Sequence, residues 1–225
     1  HQRDASLNTR LWRAVPPPAQ TIHAVHERLL LPAALGATTT DYRLAYAPTD
    51  TELVAARAWV QQHAPGKPLI GFQVASFPTK AYRDWPADAF ADLGRRLIAQ
   101  HPDARIVLLG GKESRAKATG LAQQLGSRAV AVAGQLGLRA TAALMAQLDL
   151  YIGVDTGPTH IAGALGIPMI ALYHCRHRGI HLAPLGHERL AVIEHPAADA
   201  DCTPSAPMAA IAVDSVWDKV RQRLP

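Results

Sequence analysis

Several sequence patterns that mark common nucleotide-dependent and hydrolytic enzymes are absent from this chain of 225 residues. No Gly-x-Gly-x-x-Gly pattern follows the first predicted strand, and no P-loop occurs anywhere in the sequence. No Gly-x-Ser-x-Gly nucleophile turn is present either. These absences weigh against an NAD-linked oxidoreductase, a P-loop NTPase and a serine hydrolase.

Aromatic residues, cysteines and long apolar runs are scarce. Only 5% of residues are aromatic while 48% are hydrophobic, so aliphatic side chains must fill the core, as is common in parallel sheets covered by helices. The two cysteines, Cys175 and Cys202, are too few for a disulfide framework and fit a reducing compartment. No run approaches the roughly 18 apolar residues of a membrane span, and no signal sequence is visible. We therefore expect a cytoplasmic protein.

The charge balance is basic, with a formal net charge of +5 and a pI near 9.5. Such a charge suits an anionic ligand, an acidic membrane surface or nucleic acid. The Lys and Arg residues are scattered, without a basic run or the interleaved aromatic residues that stack on bases. We therefore expect no nucleic-acid partner.

The first part of the chain is interpreted as a lead-in of residues 1–66. The chain has no initiator Met, which is typical of a fragment or a trimmed chain. A helix is predicted from Thr21 to Leu35, followed by a polar linker and a second helix from an N-cap at Asp50 to about His63.

Residues 67–225 show short apolar runs that alternate with amphipathic segments, a pattern typical of a parallel sheet wrapped by helices. We predict an α/β, Rossmann-like domain. The predicted strands are Leu69–Val74, Arg105–Leu109, Ala129–Val132, Leu150–Val154, Met169–Tyr173 and Leu190–Ile193. The predicted helices are Ala87–Gln100, Glu113–Leu125, Leu138–Gln147, Pro158–Leu165 and Val213–Leu224.

The turn after the fourth predicted strand has the composition of an anion site. Asp155 and Thr156 can cap a helix, and Pro158 suits its first turn because that position needs no amide proton. The backbone amides around Gly157 then point outward, where the helix dipole favours a phosphate. The alternative is a well-capped crossover without a ligand.

A second polar segment, "QVASFPTKAYRDWP", follows the first predicted strand. Ser76 and Thr79 offer hydroxyls, and Lys80 and Arg83 offer cations. In a doubly wound sheet the loops after the first and fourth strands meet at the topological switch point, where ligands bind. Together the two loops predict a diphosphate site, with unremarkable surface charges as the alternative.

Two further residues are candidates for the nucleoside. Glu113 follows the Gly-Gly turn of "LLGGKES" and can accept hydrogen bonds from a ribose, or complement a helix dipole. Leu136 can form an apolar platform under a base, or belong to the core.

The tract "HCRHRGIHLAPLGH", residues 174–187, carries one Cys and four His residues. The spacing resembles that of metal ligands, but no paired Cys-x-x-Cys accompanies it. We favour cationic or hydrogen-bonding contacts to the phosphate site over zinc, and expect no metal.

The sequence "VDTGPTHIAGALGIPMIALY" resembles the signature of the glycosyltransferase family 9 enzymes, the bacterial heptosyltransferases of lipopolysaccharide core assembly. "RDWP" resembles the Lys-x-Trp-Pro element of that family, and "LLGGKES" resembles its second-strand turn. The resemblance covers nearly the whole chain but only the second half of a typical family member. It implies the C-terminal half of a glycosyltransferase B fold, with residues 1–66 as the remnant of the first half and a linker.

The resemblance also implies roles for single residues. Asp155 would contact sugar hydroxyls, and His160 would support the turn. The diphosphate would be held by Thr156 and Gly157 with Ser76, and the nucleoside by Glu113 at the ribose and Leu136 beneath adenine. Arg83 stands where the family has its phosphate-binding Lys, and Lys80 is a second candidate for that task. His174 replaces the Gly that the family has after the fifth strand.

The implied activity is an inverting, metal-independent transfer of heptose from ADP-heptose to a lipopolysaccharide core acceptor, without a cofactor. The family's catalytic carboxylate lies in the N-terminal domain, so no catalytic residue is expected in this chain, which alone should be inactive. Peripheral contact at the inner face of the inner membrane fits such an acceptor. The alternative is a non-catalytic nucleotide-binding or assembly module with the same fold.

Overall fold

The structure is a computed structural model and describes residue 15 and the ranges 18–197 and 199–224. Its centre is a six-stranded, entirely parallel sheet in the order β3-β2-β1-β4-β5-β6. The strands are β1 (Leu69–Gln73), β2 (Arg105–Leu109), β3 (Ala129–Ala131), β4 (Leu150–Val154), β5 (Met169–Tyr173) and β6 (Leu190–Glu194). Every predicted strand is present, and this order is that of a doubly wound fold, so the predicted fold class is confirmed.

The described helices also follow the prediction, with shifts at their ends, except for the one-turn helix Gly179–Leu182, which was not predicted. They are α1 (Ala24–Ala34), α2 (Asp50–His63), α3 (Ala87–Gln100), α4 (Arg115–Leu125), α5 (Leu138–Met145), α6 (Gly157–Ala164), α7 (Gly179–Leu182) and α8 (Val213–Arg221). The predicted helix at Glu113 instead begins as a short 3₁₀ turn, Lys112–Ser114, before α4.

The predicted N-cap at Asp50 is wrong by one residue. Thr49 is the N-cap of α2: its hydroxyl accepts from the amide of Glu52 at 3.3 Å, and the Glu52 carboxylate accepts from the Thr49 amide at 2.8 Å. This reciprocal capping box satisfies two amides that a cap at Asp50 would leave open.

Two apolar layers enclose the sheet, which explains its continuous hydrophobic strands. Every residue of β1, β4 and β5 is buried. One layer contains Phe72, Phe90 and Trp85, and the other contains Tyr151 and Tyr173. A strand covered by helices on both faces must be apolar on both, which is the pattern of the sequence.

The two cysteines form a disulfide, which corrects the inference that they stay reduced. The bond joins Cys175, after β5, to Cys202, which lies 27 residues later. The fold brings these segments together because the chain after β6 returns beside the end of β5, where the His174 ring lies 3.0 Å from the carbonyl of Ala206. Such a long return is invisible to local sequence patterns.

Among the residues that the structure describes, no helix is both long enough and apolar enough to cross a bilayer.

Candidate functional site

The loops that follow β1 and β4 meet at the carboxyl edge of the sheet. The two strands are direct neighbours, with Gln73 paired to Gly153, which lies 80 positions later in the chain. The connections from β1 and β4 run to opposite sides of the strand order, so this is the predicted topological switch point.

The loop after β1 is held in shape by Asp84. Its carboxylate accepts from both the amide and the hydroxyl of Ser76, each at 2.7 Å, and Lys117 lies 3.4 Å from its second oxygen. The Ser76 hydroxyl also lies 2.7 Å from the Lys80 carbonyl. Ser76 is buried, so its hydroxyl shapes this loop in the structure.

Trp85 fastens the same loop to the core. Its ring is fully buried and donates to the carbonyl of Ile211 at 2.9 Å. Phe90 packs edge-on against the ring at 5.0 Å. Lys80, in contrast, is exposed. The two predicted cations of this loop therefore differ in exposure: Lys80 projects into solvent, whereas Arg83 turns inward.

Arg83 forms a buried ion pair with Asp155 across the switch point. Its Nη1 donates to Asp155 Oδ2 at 2.7 Å, and the side chains are only 16% and 4% exposed. His160 Nε2 lies 3.7 Å from the other carboxylate oxygen. The structure thus joins three predicted site residues, and it excludes the alternative that Arg83 is an ordinary surface charge.

The turn after β4 leaves the start of α6 without a side-chain cap. Thr156 occupies the N-cap position, but its hydroxyl donates back to the Val154 carbonyl at 3.3 Å. The prediction that Asp155 and Thr156 cap this helix is therefore wrong in detail: Thr156 holds the N-cap position, but its side chain makes no capping hydrogen bond to the helix amides. Such amides are available to an anion.

A buried hydroxyl pair supports this turn from below. Thr159 donates to the Val154 carbonyl at 2.6 Å, and the Tyr151 hydroxyl lies 2.9 Å from the Thr159 hydroxyl. A Cβ at Gly153 would lie 2.5 Å from that phenol oxygen, so glycine leaves the space that the pair needs. Burial raises the pKa of Tyr151 far above its ordinary value, and the phenol stays neutral.

Tyr82 is a site residue that sequence reasoning missed, whereas His177 belongs to the tract after β5 that was expected to make hydrogen bonds beside the phosphate site. His177 Nε2 lies 2.7 Å from the Tyr82 hydroxyl and 3.2 Å from Arg83 Nη2. Burial lowers the pKa of His177 below its usual value, and the neighbouring Arg83 lowers it further.

The two predicted nucleoside contacts follow the neighbouring strands β2 and β3. Glu113 is exposed, and its carboxylate folds over Gly111, where an added Cβ would clash with Oε1. The loop after β3 passes close to the turn after β2 at Gly134, which has a φ of +66° and lies against Lys112. Leu136, at the end of that loop, is partly buried.

Leu136 lines an apolar pocket of about 380 Å³ between α2 and α5. The pocket is also lined by Ala56, Trp59 and Leu144, and Glu52 pairs with Arg139 at its rim, 2.5 Å apart. Leu136 therefore packs against the core and also lines this pocket, and its place under a base stays a prediction.

The tract after β5 does not form a thiolate metal site in the structure. Within the described ranges, His174, Cys175 and Cys202 are the group of potential metal ligands that lies together, but both sulfurs are consumed by the disulfide. A disulfide sulfur is not the thiolate that zinc requires. His174 itself is buried and binds a backbone carbonyl.

The sequence matches the family model for glycosyltransferase family 9 (heptosyltransferase) over residues 2–207. A lipopolysaccharide core heptosyltransferase, OpsX of Haemophilus influenzae, is 29% identical over 111 residues, which are 47% of this chain and 30% of that protein. The matched region therefore covers less than a third of the length of that relative.

Solved structures share the fold. A glycosyl transferase family 9 protein from Veillonella parvula superposes with a TM-score of 0.76 at 20% identity, covering 92% of this chain and 61% of that one. The E. coli heptosyltransferase WaaC with ADP has a TM-score of 0.65 at 20% identity, covering 91% and 58%. The chain thus corresponds to about three fifths of these structures.

Proposed function

The chain belongs to glycosyltransferase family 9, and from that premise we propose that it is the donor-binding part of a heptosyltransferase. Residues 67–225 form the nucleotide-sugar-binding domain in this proposal, and residues 1–66 form the lead-in and interdomain segment. The donor is ADP-heptose and the acceptor a lipopolysaccharide core. The observation that carries the proposal is the buried Arg83–Asp155 pair beside the uncapped start of α6.

The diphosphate of the donor would lie over the amides of Thr156 and Gly157. Phosphate at a helix N-terminus is favoured by free amides and by the helix dipole. Lys80 and Arg83 supply positive charge on the facing loop, with the Arg83 charge balanced by Asp155. Ser76 would contribute through the shape of that loop.

The nucleoside and the sugar would extend in opposite directions from the diphosphate. Glu113 and Leu136 follow β2 and β3, so the ribose and adenine lie on that side of β1. Asp155 and His160 lie on the β4 side, where they would contact the sugar. The E. coli heptosyltransferase WaaC, whose fold is similar, has been solved with ADP, which supports an adenine nucleotide as the ligand class.

The reaction in this proposal is an inverting displacement. A hydroxyl of the acceptor attacks the anomeric carbon while the bond to the diphosphate breaks, and the general base takes the hydroxyl proton. The amides of α6 and the cations stabilise the charge that develops on the diphosphate, without a metal ion. We expect the general base to come from outside this chain, so the chain alone should bind donor without transferring sugar.

The acceptor places the enzyme near a lipid surface, so we propose a cytoplasmic location with peripheral contact at the inner membrane. The net charge of +5 supports contact with an anionic surface. The Cys175–Cys202 disulfide weighs against this location, because disulfides are rare in reducing compartments.

Calorimetric titration with ADP, UDP, GDP and NAD tests the proposal. We expect ADP to bind in preference to the other three, and Arg83→Ala to weaken the binding of ADP. A chain that binds none of the four, or binds NAD best, would contradict the proposal. Binding of ADP by a natural full-length protein that never transfers sugar would favour the non-catalytic module instead.

A further inference from the structure

The loop after β5 brings a histidine onto the outer side of Arg83. His177 lies on the segment between β5 and α7, and its Nε2 is 3.2 Å from Arg83 Nη2. The opposite guanidinium nitrogen, Nη1, is held by Asp155 at 2.7 Å. Both terminal nitrogens of Arg83 are therefore contacted, each by a side chain from a different loop.

The chemistry of the partners decides which ring nitrogen carries the proton. A guanidinium has only donors, so His177 Nε2 must be the acceptor in its contact with Arg83. The ring is then neutral with its proton on Nδ1, and the single lone pair of Nε2 is shared by Arg83 Nη2 and the Tyr82 hydroxyl, which lies 2.7 Å away. A ring with its proton on Nε2 would donate to the Tyr82 hydroxyl instead and would place that N–H against a guanidinium donor, without holding Arg83.

The loop itself is fixed, so the position of His177 is defined. Its amide donates to the His174 carbonyl at 2.8 Å, and His174 in turn binds the Ala206 carbonyl through Nε2. The disulfide ties the intervening Cys175 to Cys202. Three attachments within four residues restrict the movement of the ring relative to Arg83.

We propose that His177 is a positioning residue that holds Arg83 at the switch point through an unprotonated Nε2. Asp155 alone contacts one end of the guanidinium, and a side chain of this length has several rotatable bonds. The second contact fixes the orientation of the plane. The consequence for ligand binding rests on the proposed function of Arg83 at the diphosphate, whereas the contact itself does not.

The experiment compares His177→Gln with His177→Leu in the whole chain. The Gln carbonyl oxygen can take the place of Nε2 as an acceptor, whereas Leu keeps the bulk without an acceptor. We expect Leu to weaken ADP binding about tenfold, the usual effect of losing one hydrogen bond to a charged group. Gln should recover most of that affinity. His101→Leu, at the opposite edge of the sheet, is the matched control and should bind ADP as the unchanged chain does.

Nitrogen NMR of the ring gives a readout that does not depend on ADP. In chain with nitrogen-labelled histidine, the ring signals of His177 are those that disappear in the His177→Gln variant. In the unchanged chain, these signals should be those of an unprotonated Nε2 and a protonated Nδ1. A protonated Nε2, or fast averaging of the two tautomers, would overturn the proposal. Equal ADP affinity of the Leu variant and the unchanged chain would also overturn it.

The two proposals fail in different ways. If the unchanged chain binds no ADP, the proposed function fails, and the ring nitrogens still decide whether His177 holds Arg83. If ADP binds but the Leu substitution has no effect, only the role of His177 fails. Thermal unfolding of each variant identifies a loss of binding that comes from misfolding.

Discussion

The two sides of the candidate site are built in different ways. On the side of β4, Arg83 and Asp155 form a buried ion pair that His177 and His160 flank. On the side of β2, Glu113 is exposed and folds over Gly111.

The difference indicates which side of the site contributes to the stability of the fold. When an ion pair is buried, each charge needs the other as its partner, because a single charge left away from water strongly destabilises the folded state. An exposed carboxylate costs little and can turn to meet a ligand. We therefore expect substitutions that remove one partner of the pair on the β4 side to alter folding and binding together, and substitutions on the β2 side to alter binding alone.

Removal of Asp155 should have the largest effect. Asp155→Ala leaves the Arg83 cation buried without its partner, which typically costs about 3–5 kcal/mol of unfolding free energy. Urea unfolding, followed by circular dichroism, measures the loss. Unchanged stability of this variant would show that the pair is not buried as the structure has it.

The double variant Arg83→Met with Asp155→Leu separates stability from binding. Apolar residues of similar size can replace a buried ion pair without loss of stability. We expect the double variant to unfold near the midpoint of the unchanged chain and to bind no ADP. Retained ADP binding would contradict the role of the pair at the diphosphate.

Loss of the disulfide should come next. Cys202→Ser removes a cross-link over 27 residues, which typically lowers the unfolding free energy by about 2–4 kcal/mol. Unfolding of the unchanged chain with and without a strong thiol reductant gives the control, and the two should differ by a similar amount. If the reductant leaves the midpoint unchanged, the bond does not contribute.

Acid should weaken the folded state through four histidines that are buried or partly buried. Burial lowers the pKa of His23, His174, His177 and His187 from an ordinary value of 6.5. Below that value the unfolded chain binds more protons than the folded one, so stability falls as the pH falls below 6.5. The raised pKa of Glu194 acts in the opposite sense at lower pH. Unfolding free energies measured between pH 7.5 and 5 should decrease toward pH 5; a flat profile would contradict the burial of these rings.

Glu113→Gln should have the smallest effect on folding. Because the side chain is exposed, the unfolding free energy should stay within about 0.5 kcal/mol. ADP affinity should fall by about fivefold, since a charged acceptor for the ribose is lost. An ADP analogue without the ribose hydroxyls should bind both forms equally, and a difference between them would place Glu113 elsewhere.

The elements of the fold were predictable because their signals are local. Apolar runs of four to six residues between Gly, Pro and polar segments indicated all six strands, and the start of α6 followed from "DTGP". The meeting of the β1 and β4 loops followed from the strand order alone, through the rule for switch points.

The pairings within the site were not predictable, because they join distant residues. Arg83 is 72 residues from Asp155 and 94 from His177, and the cysteines are 27 apart. The sequence indicated Arg83 and Asp155 as separate ligand contacts, and it contained no sign that each neutralises the other. The particular contacts that Tyr82 and His177 make in the site arise through packing, which periodicity and capping rules do not describe.

The most direct test of the site is the amide signal of Gly157 during titration with ADP. In nitrogen-labelled chain, we predict that this amide shifts with the same affinity that calorimetry measures, because its N–H lies at the proposed diphosphate. Arg83→Ala should weaken both readouts in parallel. If ADP binds while the signal of Gly157 stays in place, the switch point does not hold the diphosphate and the central claim is wrong.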